Sequence, residues 1–174
     1  MQKRIAIIVT LTFSLMVLAG CRRKRPSPSA SASCDIGAGQ SVKTNYGSPH
    51  MNGRKIYGAL VPFGQVWRTG ANEATTFAST SDLVVGGKLV PAGKYTIFTV
   101  PNPDKWTLIV NKKTGEWGIP YKYEGDELAR IDMRTAKLSS PVEQFSISYE
   151  KSGTGCTMNI DWETTRASVD IKAK

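Results

Sequence analysis

The chain has 174 residues, a formal net charge of +9 and 40% hydrophobic side chains, a scale that suits one globular domain with short extensions. Six of its 23 basic residues (Lys3, Arg4, Arg22, Arg23, Lys24 and Arg25) precede Cys34, which leaves 17 basic against all 14 acidic residues beyond it. The basic balance is therefore a property of the N-terminal segment, and with no basic stripe in the domain a nucleic-acid partner is not expected.

Lys3 and Arg4 open an apolar run from Ile5 to Val17. A charge followed by a short apolar stretch reads as a secretory signal over residues 1–20, too short and wrongly flanked for a spanning helix. Its ending, Leu18-Ala19-Gly20-Cys21, resembles a bacterial lipobox. That resemblance implies cleavage before Cys21 and acylation of its thiol, where each buried methylene adds about 0.8 kcal/mol of membrane affinity. The mature protein is then anchored in the cell envelope. Arg22, being non-acidic after the lipid-bearing Cys21, fits sorting to the periplasmic face of the outer membrane. Residues 22–33, RRKRPSPSASAS, read as a basic and then Pro/Ser-rich linker with nothing to bury. The basic cluster either attracts anionic head groups at roughly 1 kcal/mol per charge or is a plain solvated tether.

The other two cysteines, Cys34 and Cys156, form an even pair in an oxidising compartment, so a disulfide is expected between them. Two buried free thiols are the rival reading. The domain, residues 34–174, reads as nearly all β. Leu83–Val85 and Lys88–Val90 flank Gly86-Gly87, a hairpin signal because both central positions of a type I′ turn need positive φ. Lys94 to Val100 is rich in β-branched and aromatic residues and is stopped by Pro101-Asn102-Pro103-Asp104. Trp106, Leu108 and Val110 alternate next, until Lys113-Thr114-Gly115. Ile131 and Met133, then Phe145, Ile147 and Tyr149, then Cys156, Met158, Ile160 and Trp162 follow the same alternation, with polar residues between them. Val169 and Ile171 close the chain. This is the half-buried antiparallel pattern. Strands spaced in this way without amphipathic helices predict an antiparallel β-sandwich, jelly-roll-like, of about 8–10 strands, with a closed barrel as the alternative.

Residues 45–77 depart from the pattern, because glycines and prolines punctuate short apolar pieces. Their centre, Val66-Trp67-Arg68-Thr69-Gly70-Ala71-Asn72-Glu73-Ala74-Thr75, together with Pro91-Ala92-Gly93-Lys94-Tyr95, Trp106-Thr107-Leu108-Ile109 and Gly115-Glu116-Trp117-Gly118, resembles the DUF2911 family of bacterial proteins. The resemblance covers about residues 40–172. It implies a secreted or envelope β-rich domain and supplies neither catalytic residues nor a cofactor.

On their own chemistry, Arg68, Asn72 and Glu73 offer a fork donor, an amide and a carboxylate in one turn, suited to a polar ligand such as a sugar, a carboxylate or a peptide end. Equally, Arg68 and Glu73 can pair while Asn72 holds the turn. His50, the one histidine, has the pKa range of a general base, but a lone histidine with both domain cysteines spent gives no metal site, and a surface position is the plainer reading. Trp117, with Tyr121 behind it, is either a stacking platform for a glycan or peptide or a plug over the sandwich end. Trp106 and Trp162 read as core. Glu124, Asp126 and Glu127 read as a solvated acidic turn without the spacing of a calcium loop.

These residues point to a lipid-anchored, non-catalytic module binding a small polar ligand, a glycan or an envelope protein. An envelope hydrolase using the Arg68-Asn72-Glu73 turn and a purely structural envelope protein are the alternatives. No nucleophile–base pair or metal constellation is recognisable for the hydrolase.

Overall fold

The computed structural model describes residues 27–174. The expected signal segment, Cys21 as the expected lipidation residue and the first part of the expected linker lie outside the described residues. Nine strands are described: β1 (Ser29–Gly37), β2 (Gln40–Gly47), β3 (Thr75–Ser79), β4 (Leu83–Val85), β5 (Lys88–Val90), β6 (Gly93–Val100), β7 (Trp106–Asn111), β8 (Glu127–Ser152) and β9 (Gly155–Ala173). A single 3-10 turn, Glu124–Asp126, precedes β8. The strands form one sheet in the order β1-β2-β3-β6-β7-β8-β9-β4-β5, antiparallel throughout. The all-β antiparallel expectation holds. In place of jelly-roll connections there is a single continuous sheet.

That sheet folds over on itself, and β8 is the element that does it. Its first residues pair with β7, from Glu127 opposite Asn111 to Met133 opposite Trp106. From Arg134 onward it pairs with β9 instead. The register slips between Lys137 and Val142 and again before Ser146. Such irregularities bend a strand and sharpen its twist, and Pro141, which has no N–H to give, sits inside this stretch. Beyond the bend the β8–β9 hairpin covers β1 and β2. Tyr46 Oη on β2 donates to the Ile147 carbonyl at 3.2 Å, Ser48 Oγ donates to the Phe145 carbonyl at 2.5 Å, and the Thr44 and Tyr149 hydroxyls are 2.5 Å apart. The Cys34–Cys156 disulfide ties β1 to the start of β9.

Between the layers lies a core dominated by aromatic rings. Trp67, Trp106, Trp162, Tyr57 and Phe145 form a connected set of edge and stacked contacts, with Trp67 and Trp162 stacked at 6.0 Å and 15°. Each such pair adds about 0.5–1.5 kcal/mol beyond area burial. The glycines Gly86 and Gly87 turn β4 into β5 with φ of 51° and 85°, as the hairpin signal required.

Two sequence readings are corrected. Ser29–Ser33, assigned by composition to the linker, are the first half of β1, paired in register with Gly47–Lys43 of β2. Small polar side chains suffice there because backbone pairing, not burial, fixes the strand. Asn159 and Asp161, read as outward-facing, are buried. Arg166 meets Asp161 with two hydrogen bonds of 2.8 and 2.6 Å, and Asn159 Oδ1 accepts from Ser168. These partners satisfy the Asp161 carboxylate and Asn159 Oδ1, whereas Asn159 Nδ2 is buried with no hydrogen-bond partner among the described residues.

Candidate functional site

The connection from β2 to β3, residues 48–74, carries most of the candidate residues. Its first limb runs along the bend of β8: Met51 N–H donates to Glu143 O, and Phe145 N–H donates to Pro49 O. His50 lies on this limb, bridged through its backbone to Gln144, with its side chain exposed. Asn52 and Gly53 turn the chain at positive φ. Arg54 then folds back, its guanidinium donating to the Met51 and His50 carbonyls at 2.8 and 2.7 Å. A second turn, closed by Val61 N–H on Ile56 O, carries the exposed Leu60 and buries Ile56 and Tyr57. Trp67 bridges to Thr99 through two backbone hydrogen bonds of 2.8 and 2.9 Å.

Arg68 to Asn72 follow in a constrained conformation. Thr69 and Asn72, both non-glycine, have φ of 56° and 64°, a region that costs about 1–3 kcal/mol per residue unless its surroundings enforce it. They do. Thr75 Oγ1 donates to Thr69 O at 2.6 Å, Ala71 N–H donates to Gly47 O at 3.2 Å, and Asn72 Nδ2 donates to Ser27 O at 3.1 Å. Gly47 is required opposite this turn, because a Cβ there would run into the Ala71 carbonyl.

The loop 112–123 clamps the turn from the other side. Ala74 N–H donates to Glu116 O at 3.1 Å. Gly118, at φ of 91°, packs so closely that a Cβ would sit 2.8 Å from Ala74 Cβ. Trp117 is 56% exposed. It is neither a plug nor an idle ring: the Arg68 guanidinium lies 5.1 Å from its centre and donates to its carbonyl at 3.5 Å. Tyr121 lies beneath the same loop, edge-on to Phe98. Its hydroxyl donates to Glu127 at 2.6 Å and accepts from Asn111 Nδ2 at 3.2 Å, and burial together with Glu127 pushes its pKa up. Tyr121 therefore holds the loop. Glu127, read as part of a solvated acidic turn, instead pairs with Arg130 at 2.7 Å, which lowers its pKa.

The structure divides the expected Arg68-Asn72-Glu73 unit between two depressions. Asn72 and Glu73 border a groove of about 460 Å³ over β1, β2 and β3, with Ser31, Asn45 and Thr76. Several groups in it are already engaged: Asn45 donates to Thr76, Asn72 to Ser27, and Tyr46 to Ile147. Arg68 instead walls a cleft of about 250 Å³. Pro49, Leu60, Val61 and Ile119 line it with the buried Trp67 and Trp162, and Arg54 and Ser27 complete the lining. No carboxylate lines it. Burial lowers the Arg68 pKa, while Glu73 acts through space to raise it. Among the described residues Arg68 Nε is buried and has no hydrogen-bond partner, a deficit that costs about 1–3 kcal/mol. Sequence reasoning missed the cleft. Its one signal was apolar residues, Leu60, Val61 and Ile119, standing beside glycines and prolines where a loop has no need of them. Among the described residues no group of three His, Cys, Asp or Glu side chains comes together as a metal would require.

A β-rich domain with an inter-layer disulfide and a cleft walled by a stacked arginine is the class that fold and site define. The sequence profile of one family, described as a protein of unknown function (DUF2911), matches residues 27–171, and the chain belongs to that family. Neither a curated protein nor a solved structure matches it.

Proposed function

We propose that this chain is a lipid-anchored protein of the bacterial envelope whose domain binds a small anionic ligand with an apolar body and performs no chemistry on it. Anchoring is supported by the signal-like segment ending at Cys21 and by the disulfide, which belongs to oxidising compartments. The observation that carries the binding reading is the cleft itself, which among the described residues is lined by the guanidinium-bearing Arg54 and Arg68 and by no carboxylate. An acceptor oxygen that reaches the part-exposed guanidinium of Arg68 would gain a charge-assisted hydrogen bond, and an apolar body would rest against Leu60 and Ile119. The volume limits the ligand to a small one. The hydrolase reading loses support because Arg68 and Glu73 open into different depressions.

The test is a thermal-shift series on the mature chain from residue 21, with Cys21→Ser to keep it free of detergent. Aromatic and short aliphatic carboxylates, phosphates and neutral sugars are compared. Stabilisation by anions with an apolar body, lost in Arg68→Met but kept in Glu73→Gln, is the expected result. Stabilisation by neutral sugars that Glu73→Gln abolishes would move the site to the groove that Asn72 and Glu73 border.

A further inference from the structure

We propose that the face around the Arg68 cleft is a docking surface for the anionic phospholipid bilayer to which the chain is anchored, so that the domain lies down on the membrane. This rests on the anchoring reading above. Five large apolar side chains are exposed among the described residues: Leu60, Phe63, Leu89, Trp117 and Ile119. Four of them border one face. Leu60 and Ile119 wall the cleft, Trp117 stacks on its arginine, and Phe63 lies over Gly58 in the turn that carries Leu60. Only Leu89 stands apart, on the edge strand β5. Soluble monomers rarely group exposed apolar side chains in this way, and a Trp beside basic side chains is the composition of a membrane–water interface.

Charge and chain length point to the same occupant. Arg54, Lys55 and Arg68 lie among these apolar groups. Of the nearby carboxylates, Glu143 and Glu163 accept from the backbone N–H groups of Asn52 and Tyr57, Glu116 meets Lys113 and Tyr123, and Glu73 acts through space on Arg68. Ser27 lines the cleft, and only residues 22–26, Arg-Arg-Lys-Arg-Pro, separate it from Cys21. Six residue steps span at most ~20 Å. An acyl group on Cys21 therefore holds this face, and not the opposite end of the sheet, close to the head groups. The four cations between them favour an anionic surface.

The test uses the mature chain from residue 21, which contains every strand of the fold, with Cys21→Ser so that no acyl group contributes. It is mixed with phosphatidylglycerol vesicles and with phosphatidylcholine vesicles, with and without brominated acyl chains. Binding to phosphatidylglycerol vesicles is expected, with tryptophan emission quenched by the brominated lipid and the quenching lost in Trp117→Phe. Leu60→Ser with Ile119→Ser, both on exposed positions and leaving the tether untouched, is expected to weaken binding at least tenfold. Binding unaffected by that pair, or emission that brominated lipid does not change, would overturn the docking face and leave at most a basic tether on the vesicle. The mass of Cys21 in the chain expressed with its signal is read separately: absence of acyl groups would overturn the anchor, whatever the vesicles show.

Discussion

The Arg68 guanidinium lies 5.1 Å from the centre of the Trp117 ring and donates to the carbonyl of the same residue. One exposed aromatic residue thus positions an arginine whose Nε has no hydrogen-bond partner among the described residues. At an exposed site such a stack contributes about 0.5–1 kcal/mol. Trp117→Ala is expected to lower Tm by about 1–3 °C, on the scale of this domain, and Trp117→Phe by less. Calorimetry of both variants checks this; equal losses would mean that a phenyl ring cannot take the place of the indole over Arg68.

The glycine clamp makes a sharper prediction. Gly118→Ala puts a Cβ 2.8 Å from Ala74 at φ of 91°, whereas Gly153→Ala, at φ of 58°, meets nothing within 4 Å. The second pays only the left-handed backbone cost of about 1–2 kcal/mol. Gly118→Ala adds overpacking of about 1–3 kcal/mol. Urea midpoints should separate the two clearly, and indistinguishable midpoints would show that the loop yields.

The Cys34–Cys156 bond spans 122 residues. In the chain-entropy account a loop of this length contributes about 4–5 kcal/mol. Equilibrium unfolding of the double variant Cys34→Ala, Cys156→Ala should show a loss of about 2–5 kcal/mol. A loss well under 1 kcal/mol would mean that β1 is held by its pairing with β2 alone.

Asp170 accepts two hydrogen bonds from Arg134, at 2.6 and 2.9 Å, and one from Thr157 at 2.8 Å. Arg134 first, then Thr157, holds its carboxyl at about 2, below the usual 3.8. The folded value lies below the unfolded one, so the contribution is whole above about pH 4 and is lost as pH falls through about 2. The pair is partly exposed, so solvent screening keeps the effect small. Asp170→Asn should cost stability at pH 6 and progressively less toward pH 2, read as a Tm difference that closes on acidification. A constant difference across that range would place the cost in packing.

Much of the fold was legible because the signals were local. The Gly86-Gly87 turn and the alternations through Phe145–Tyr149 and Met158–Trp162 each sit on one hairpin, and the cysteine parity needed only counting. The fold-over was not legible, since it depends on a register slip between Lys137 and Ser146 that no periodicity announces. Ser29–Ser33 resembled a linker because its strand is fixed by a neighbour's backbone and not by its own side chains. At the site, residue types were readable but partners were not. Arg68 and Glu73, five apart in sequence, face different depressions, while Arg68 and Trp117, which meet, are separated by 49 residues.

The disulfide also has a mechanical meaning. If Cys21 carries the proposed anchor, a pull on it would reach the domain through Ser27 and Pro28, whose carbonyls accept from Asn72 and Ser48, and then through β1. Its pairs with β2 run from Ser29 to Asp35 before the irregularity, so the load would next fall on the backbone bonds of that pairing. The crosslink at Cys34 diverts that load into β9 before β1 can peel past its end. A load on the N-terminal segment would then extend that segment ahead of the domain.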